Sequence, residues 1–166
     1  EFPAVAVIVA EAAKVTIYDG DDPSLPMWMV FNQYGGYNYL TIPTTVTAGE
    51  GKLWVGSTSV GYGLTEINFP ADDAIRYASG SQRIYSEFGG IIKRNSSVGN
   101  WNTVIAGAAG LVNWVVNDVA MTVLPNAPID AATGLPVPTI AVATDGGVSV
   151  IKDDGTVVDF TNTQDG

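Results

Sequence analysis

Short apolar runs separated by acidic or glycine-rich turns recur along this chain. The clearest case is Pro138 to Asn162, PTIAVATDGGVSVIKDDGTVVDFTN. Its pattern predicts strands at Thr139–Ala143, Val148–Ile151 and Thr156–Phe160. The joining turns are Asp145-Gly146-Gly147 and Asp153-Asp154-Gly155, where glycine reaches positive φ without steric cost. Val148, Val150, Val157 and Val158 suit a pleated, half-buried surface.

The same order appears earlier. Ala6–Ala10 (AVIVA) predicts a buried strand, Lys14–Tyr18 (KVTIY) an alternating one, and Pro26–Phe31 (PMWMVF) a third after the turn Asp19-Gly20-Asp21-Asp22-Pro23. Tyr39–Thr47 reads as an outer strand closing this unit, with Pro43 best placed on an edge. A second unit begins at Ala48. Its strands are Lys52–Gly56, Leu64–Phe69 and Ala74–Ala78, with an acidic turn at Asp72-Asp73. Gln82–Phe88 predicts a further strand and Ile91–Asn102 an exposed loop. Asn113–Leu124 fits one or two strands, and Pro125–Pro138, with four prolines, an extended connection. Thr103–Leu124 is long enough for a membrane helix but carries Asn113, Asn117 and Asp118, so a buried strand pair or helix is the preferred reading.

These units cannot bury both faces alone, so they are expected to stack around shared cores. The expected fold is all-β, with β-propeller-like blades in a single domain. The units are about 3–47, 48–137 with a long insertion or a degenerate blade, and 138–166. Such a chain is either a small closed propeller or a fragment completed by other chains. A β-sandwich is the alternative.

Composition narrows the chemistry. Of 166 residues, 46% are hydrophobic and only 14% charged, far from the disordered range. Seventeen acidic against seven basic residues give a net charge of −10, which disfavours nucleic acid and acidic membrane surfaces as partners. The chain has no cysteine and no histidine. That excludes disulfides, His- or Cys-ligated zinc, and Ser-His-Asp or Cys-His catalysis within it. Glu1-Phe2 reads as a cloning remnant or the edge of a processed product.

The run Asn117–Asp159 and the segment Lys52–Tyr77 (KLWVGSTSVGYGLTEINFPADDAIRY) resemble uncharacterised propeller-like proteins of marine phages and ocean metagenomes. The resemblance covers about half the chain. It implies a structural or adhesion role in a virion or tail fibre, hence a virion or extracellular location, and it supplies no catalytic residues.

Three groups of residues are candidates for chemistry. Trp28, Tyr34, Tyr37, Asn38 and Tyr39 combine flat aromatic faces with an amide, which suits a surface glycan; the plainer reading is core packing and edge cover. The carboxylates Asp19, Asp21, Asp22, Asp72, Asp73, Asp153 and Asp154 offer oxygen ligands for calcium, but their recurrence at turns favours hairpin chemistry. Glu11, Glu50, Glu66 and Glu87 could supply the paired carboxylates of a glycosidase. Ser97-Val98-Gly99-Asn100-Trp101 lacks the aspartate and spacing of a sialidase-type box, and Gly56–Gly63 lacks the lysine and helix of a phosphate loop. The expected function is therefore a non-enzymatic structural or receptor-binding component that needs no cofactor, presents loops on a rigid scaffold and associates with copies of itself or other chains. A carbohydrate-active enzyme is the alternative.

Overall fold

Turns of two to a few residues leave a strand little choice but to pair with the next strand in sequence, and among the described residues the strands do so with two exceptions. A computed structural model describes residues 3–32, 42–59, 61–84, 91–95 and 103–161. They form three antiparallel sheets. The first holds β1 (Ala6–Glu11), β2 (Lys14–Asp19) and β3 (Met27–Asn32). The second runs in order through β4 (Pro43–Gly49), β5 (Lys52–Ser57), β6 (Leu64–Asn68), β7 (Asp73–Ala78), β8 (Ser81–Ile84) and β9 (Thr103–Val104). The third holds β10 (Val116–Thr122), β11 (Thr139–Thr144), β12 (Gly147–Ile151) and β13 (Val157–Phe160). The described residues contain no α-helix, only a 3-10 turn at Ile91–Lys93. Among the described residues no helix is long and apolar enough to cross a membrane. The fold is all-β, and among the described residues no sheet closes on itself.

The layers follow from alternation along the second sheet. In β5, Leu53 and Val55 point to one side and Trp54 to the other; in β6 and β7, Ile67 and Ala74 oppose Leu64 and Tyr77. One core cluster joins Leu53, Val55, Ile67 and Ala74 to Val15, Ile17 and Phe31 of the first sheet. The other joins Trp54, Leu64 and Tyr77 to Val116, Val119, Ile140 and Val142 of the third. The second sheet is therefore the middle layer, buried on both faces. This explains why Lys52–Ser57 reads as a continuous apolar run rather than a half-polar strand.

The first strands of the sheets lie side by side: β1 packs on β4, and β4 and β5 pack on β10. Small residues permit the second approach. A Cβ on Gly56 would lie 2.5 Å from Val116 Cγ1 and 2.7 Å from Thr45 Cγ2. Hydroxyls stitch the same seam, with Thr44 Oγ1 donating to the Val116 carbonyl at 2.8 Å and Thr45 Oγ1 to Asp118 Oδ1 at 3.0 Å.

Four features depart from the sequence expectation. The strand expected to close the first unit pairs instead with β5 and opens the second sheet, because the tight turn at Glu50-Gly51 joins it there; Pro43 does sit at the start of an edge strand. The last sheet gains its fourth strand from Val116–Thr122, which lies before the proline-rich connection. That connection is not simply extended: Ile129 and Pro136 bridge across a turn held by Gly134 N–H to the Asp130 carbonyl at 2.8 Å. The expected loop at Ile91–Asn102 contributes a buried core residue, Ile91.

Asn95, in that same region, closes the free edge of β3. Its Oδ1 accepts from the Asn32 amide at 3.0 Å and its Nδ2 donates to the Val30 carbonyl at 3.0 Å, so one side chain imitates the donor and acceptor of a neighbouring strand. Arg94 Nε donates to the same carbonyl at 2.9 Å. Capping of this kind protects an edge from pairing with foreign strands.

Two stability predictions follow from these seams. Gly56→Ala should lower stability by about 1–3 kcal/mol, because stiff, buried Val116 cannot yield; denaturant unfolding measures it. Asn95→Ala should cost about 1–3 kcal/mol through the stranded edge groups of β3, and native-state hydrogen exchange should show faster exchange at the Asn32 amide.

Candidate functional site

Two clefts at the sheet seams gather side chains with chemistry. The first opens where β3, the turn after β6 and the Ile91–Lys93 turn meet. A register shift between Ile17 and Tyr18 leaves Trp28 as an extra residue in β3, so its ring turns aside from the regular pleat. Trp28 then meets Phe69 edge-to-face, with ring centroids 5.9 Å apart at 66°. Met29, Phe69, Asp72, Ile91, Ile92 and Arg94 complete a cleft of about 420 Å³. Ile92 is 80% exposed at its rim. Asp72 holds positive φ (53°) and accepts from the Ile91 amide at 2.7 Å, which ties the two turns of the cleft together. Arg94 lies over the Phe31 ring at 5.9 Å, a cation–π contact that fixes its position. An apolar concavity with one acid and one guanidinium is the usual make-up of a small-ligand site.

Of the aromatic group expected from sequence, Trp28 lines this cleft, and Phe69, Asp72 and Arg94 join it from distant segments. Tyr34, Tyr37, Asn38 and Tyr39 lie outside the described residues.

The second cleft, about 290 Å³, lies between the middle and third sheets. Alternation in β6 places Glu66 on the same buried face as Leu64, so the carboxylate needs partners. Lys52 on one neighbouring strand donates to Oε1 at 2.6 Å, and the Tyr77 hydroxyl on the other donates to Oε2 at 3.2 Å. Both partners sit diagonally across from Glu66 in the ladder, within reach of long side chains. Burial pushes the Tyr77 hydroxyl well above its ordinary pKa, and the Glu66 charge adds to the effect. Asp153 and Asp154 line the same cleft from the turn after β12. Trp54, against Glu66 in the register, keeps its Nε1 buried with no hydrogen-bond partner among the described residues.

The acidic turns use their carboxylates locally. Asp22 Oδ1 accepts from the Ser24 amide and hydroxyl, each at 2.8 Å, and Asp154 Oδ1 accepts from Thr156 N and Oγ1 at 2.9 and 2.5 Å. These bonds hold both carboxyls below their usual pKa. Asp21 Oδ2 accepts from the Ala4 and Val5 amides and ties the start of the chain to the turn after β2. Among the described residues no three acidic side chains converge as a metal site would need. Glu11 pairs with Lys14 at 2.9 Å on the surface, Glu50 forms a turn with φ 51°, and Glu87 lies outside the described residues.

The Glu66 cluster was only half legible in the sequence. A charged residue at an apolar position of LTEIN signals a partnered carboxylate, but its partners stand 14 and 11 residues away and depend on strand register. No protein-family model, curated protein or solved structure matches the chain.

The raised Tyr77 pKa carries a stability consequence. Above the ordinary phenol value of 10.0 the unfolded chain loses this proton while the folded one retains it, so stability is intact below that value and falls as pH rises beyond it. Thermal unfolding followed across alkaline pH should show this decline, and Tyr77→Phe should flatten it while lowering stability near neutrality by about 1 kcal/mol through the lost hydrogen bond.

Proposed function

We propose that this chain is a non-enzymatic assembly and adhesion component. It acts as a rigid stack of propeller-like β blades that presents the Trp28 cleft and the neighbouring turns to a surface glycan. The observation that carries the reading is the composition of that cleft. An indole beside a second aromatic ring offers the apolar wall on which a sugar's C–H face packs, while Asp72 and Arg94 supply an acceptor and donors for hydroxyls. Its residues come from β3, the turn between β6 and β7, and the segment Ile91–Arg94, so the packed seam itself pre-organises the site. The blade reading draws on the three consecutive antiparallel meanders and on the adjacent first strands β1, β4 and β10. The setting in a phage virion or tail, outside the cell, rests on the sequence resemblance alone.

A specific observation favours one rival. Glu66 shares its cleft with Asp153 and Asp154, and paired carboxylates across a cleft are the apparatus of a glycosidase. Against it, both oxygens of Glu66 are engaged by Lys52 and Tyr77.

A glycan array with the purified chain, followed by calorimetry on the best ligand, separates the two. Trp28→Ala should weaken binding at least tenfold with the fold intact, and no glycan should be cleaved. Cleavage that is lost in Glu66→Gln would replace this reading with the glycosidase.

A further inference from the structure

The two outer sheets of the stack each carry exposed apolar residues on the side away from the middle sheet. Opposite residues in the ladder share a face, so the outer side of the first sheet carries Val7 beside Tyr18, Val9 and Val30 flanking a Thr16 that is itself buried, and the Glu11–Lys14 ion pair at one end. Val7 and Val9 are 39% and 37% exposed. The outer side of the third sheet carries the rows Ala120–Ala141–Val150–Val158 and Ala143–Val148–Phe160. Val148 and Val158 are each 39% exposed and Phe160 60%. On this face the alanines of β10 and β11 leave a trough of about 180 Å³, rimmed by Asp118 and Val148.

We infer that these two faces are halves of one interface, in which the third sheet of one copy packs on the first sheet of a second copy and the second copy returns the contact. The inference deepens the scaffold reading above and rests on its view of the sheets as stacked blades. Continuity with the internal seams supports it. Within the chain, sheets meet with first strand against first strand, β1 on β4 and β4 on β10. Extending that row sets β10 against the partner's β1, which brings the bulky Val7 and Val9 of one copy to the alanine trough of the other. It repeats the seam in which Val116 and Met121 of β10 fill the space left by Gly56 and Gly49.

The capped edge of β3 argues the same way. With Asn95 occupying the Asn32 and Val30 backbone groups, that end of the β3 edge is closed to strand addition, which favours the face over this edge as the surface a partner meets. Area decides between one contact and two. At strand spacings near 4.8 Å each face covers roughly 300 Å². A single contact thus falls short of the ~1,000 Å² of total buried surface a specific interface needs, and a reciprocal pair exceeds it. Each copy carries a net charge of −10, so the contact should tighten as salt screens the repulsion.

Analytical ultracentrifugation of the purified chain at low and high ionic strength tests this. The expected result is a discrete species of twice the 17.3 kDa chain mass, enriched at high salt. Val9→Glu and Val158→Glu, on opposite faces, should each abolish it while circular dichroism and unfolding midpoint stay close to the parent. A monomer at every salt concentration overturns the inference. So does a dimer lost in Val158→Glu but kept in Val9→Glu, which would mean that the third sheet pairs with itself. Glycan binding measured on the same samples keeps the two readings apart: a monomer that binds glycan through Trp28 removes this interface and leaves the adhesion reading standing.

Discussion

Burial of the middle sheet on both faces is the constraint from which the rest of this structure follows. A strand with one face in water needs only every second residue to be apolar. Strands β5, β6 and β7 have no such freedom, since Leu53, Val55 and Ile67 pack on the first sheet while Trp54, Leu64 and Tyr77 pack on the third. At about 25 cal/mol per Å² of apolar surface, this double burial is the main source of cohesion between layers that share few backbone hydrogen bonds. It also explains the small residues at the seams, because sheets can approach closely only where a side chain is missing on one of them.

A charge within such a layer is costly unless its partners are fixed, and Glu66 has two. Its bonds to Lys52 and Tyr77 span all three central strands. They also define register. A slip of one residue in β6 would turn Glu66 toward Phe31 and Val15, where no cation or hydroxyl of the cluster could follow. The apolar residues around it would tolerate several registers; the carboxylate tolerates one. The same cluster forms the wall of a cleft, so the feature that sets the sheet also shapes a candidate binding surface.

The open boundaries of the stack are handled unequally. The edge of β3 is closed by an amide side chain that stands in for a strand, and the acidic turns hold their own backbone groups with Asp19, Asp22 and Asp154. On the outer faces, Val9, Val148, Val158 and Phe160 stay exposed. A chain that seals an edge with one asparagine yet leaves Phe160, Val158 and Val9 in water has its apolar surface concentrated where another sheet could stack. The recognition proposed at Trp28 and the association proposed through the outer faces would use different parts of the molecule.

Period-two alternation, Asp and Gly turns and the lack of histidine and cysteine were enough to establish, from sequence alone, an all-β chain, the position of most strands and the exclusion of several catalytic classes. Those properties are local or compositional. Strands such as Lys14–Asp19 and Gly147–Ile151 are specified by neighbours a few residues away, through turns too short to permit other pairings. The membership of β4 and β10, the burial of Ile91, the partners of Glu66 and the company Trp28 keeps were decided only in the tertiary structure. Each depends on which sheet packs against which, and that is settled by summed burial across segments tens of residues apart, where apolar runs of similar composition are interchangeable until shape and register distinguish them.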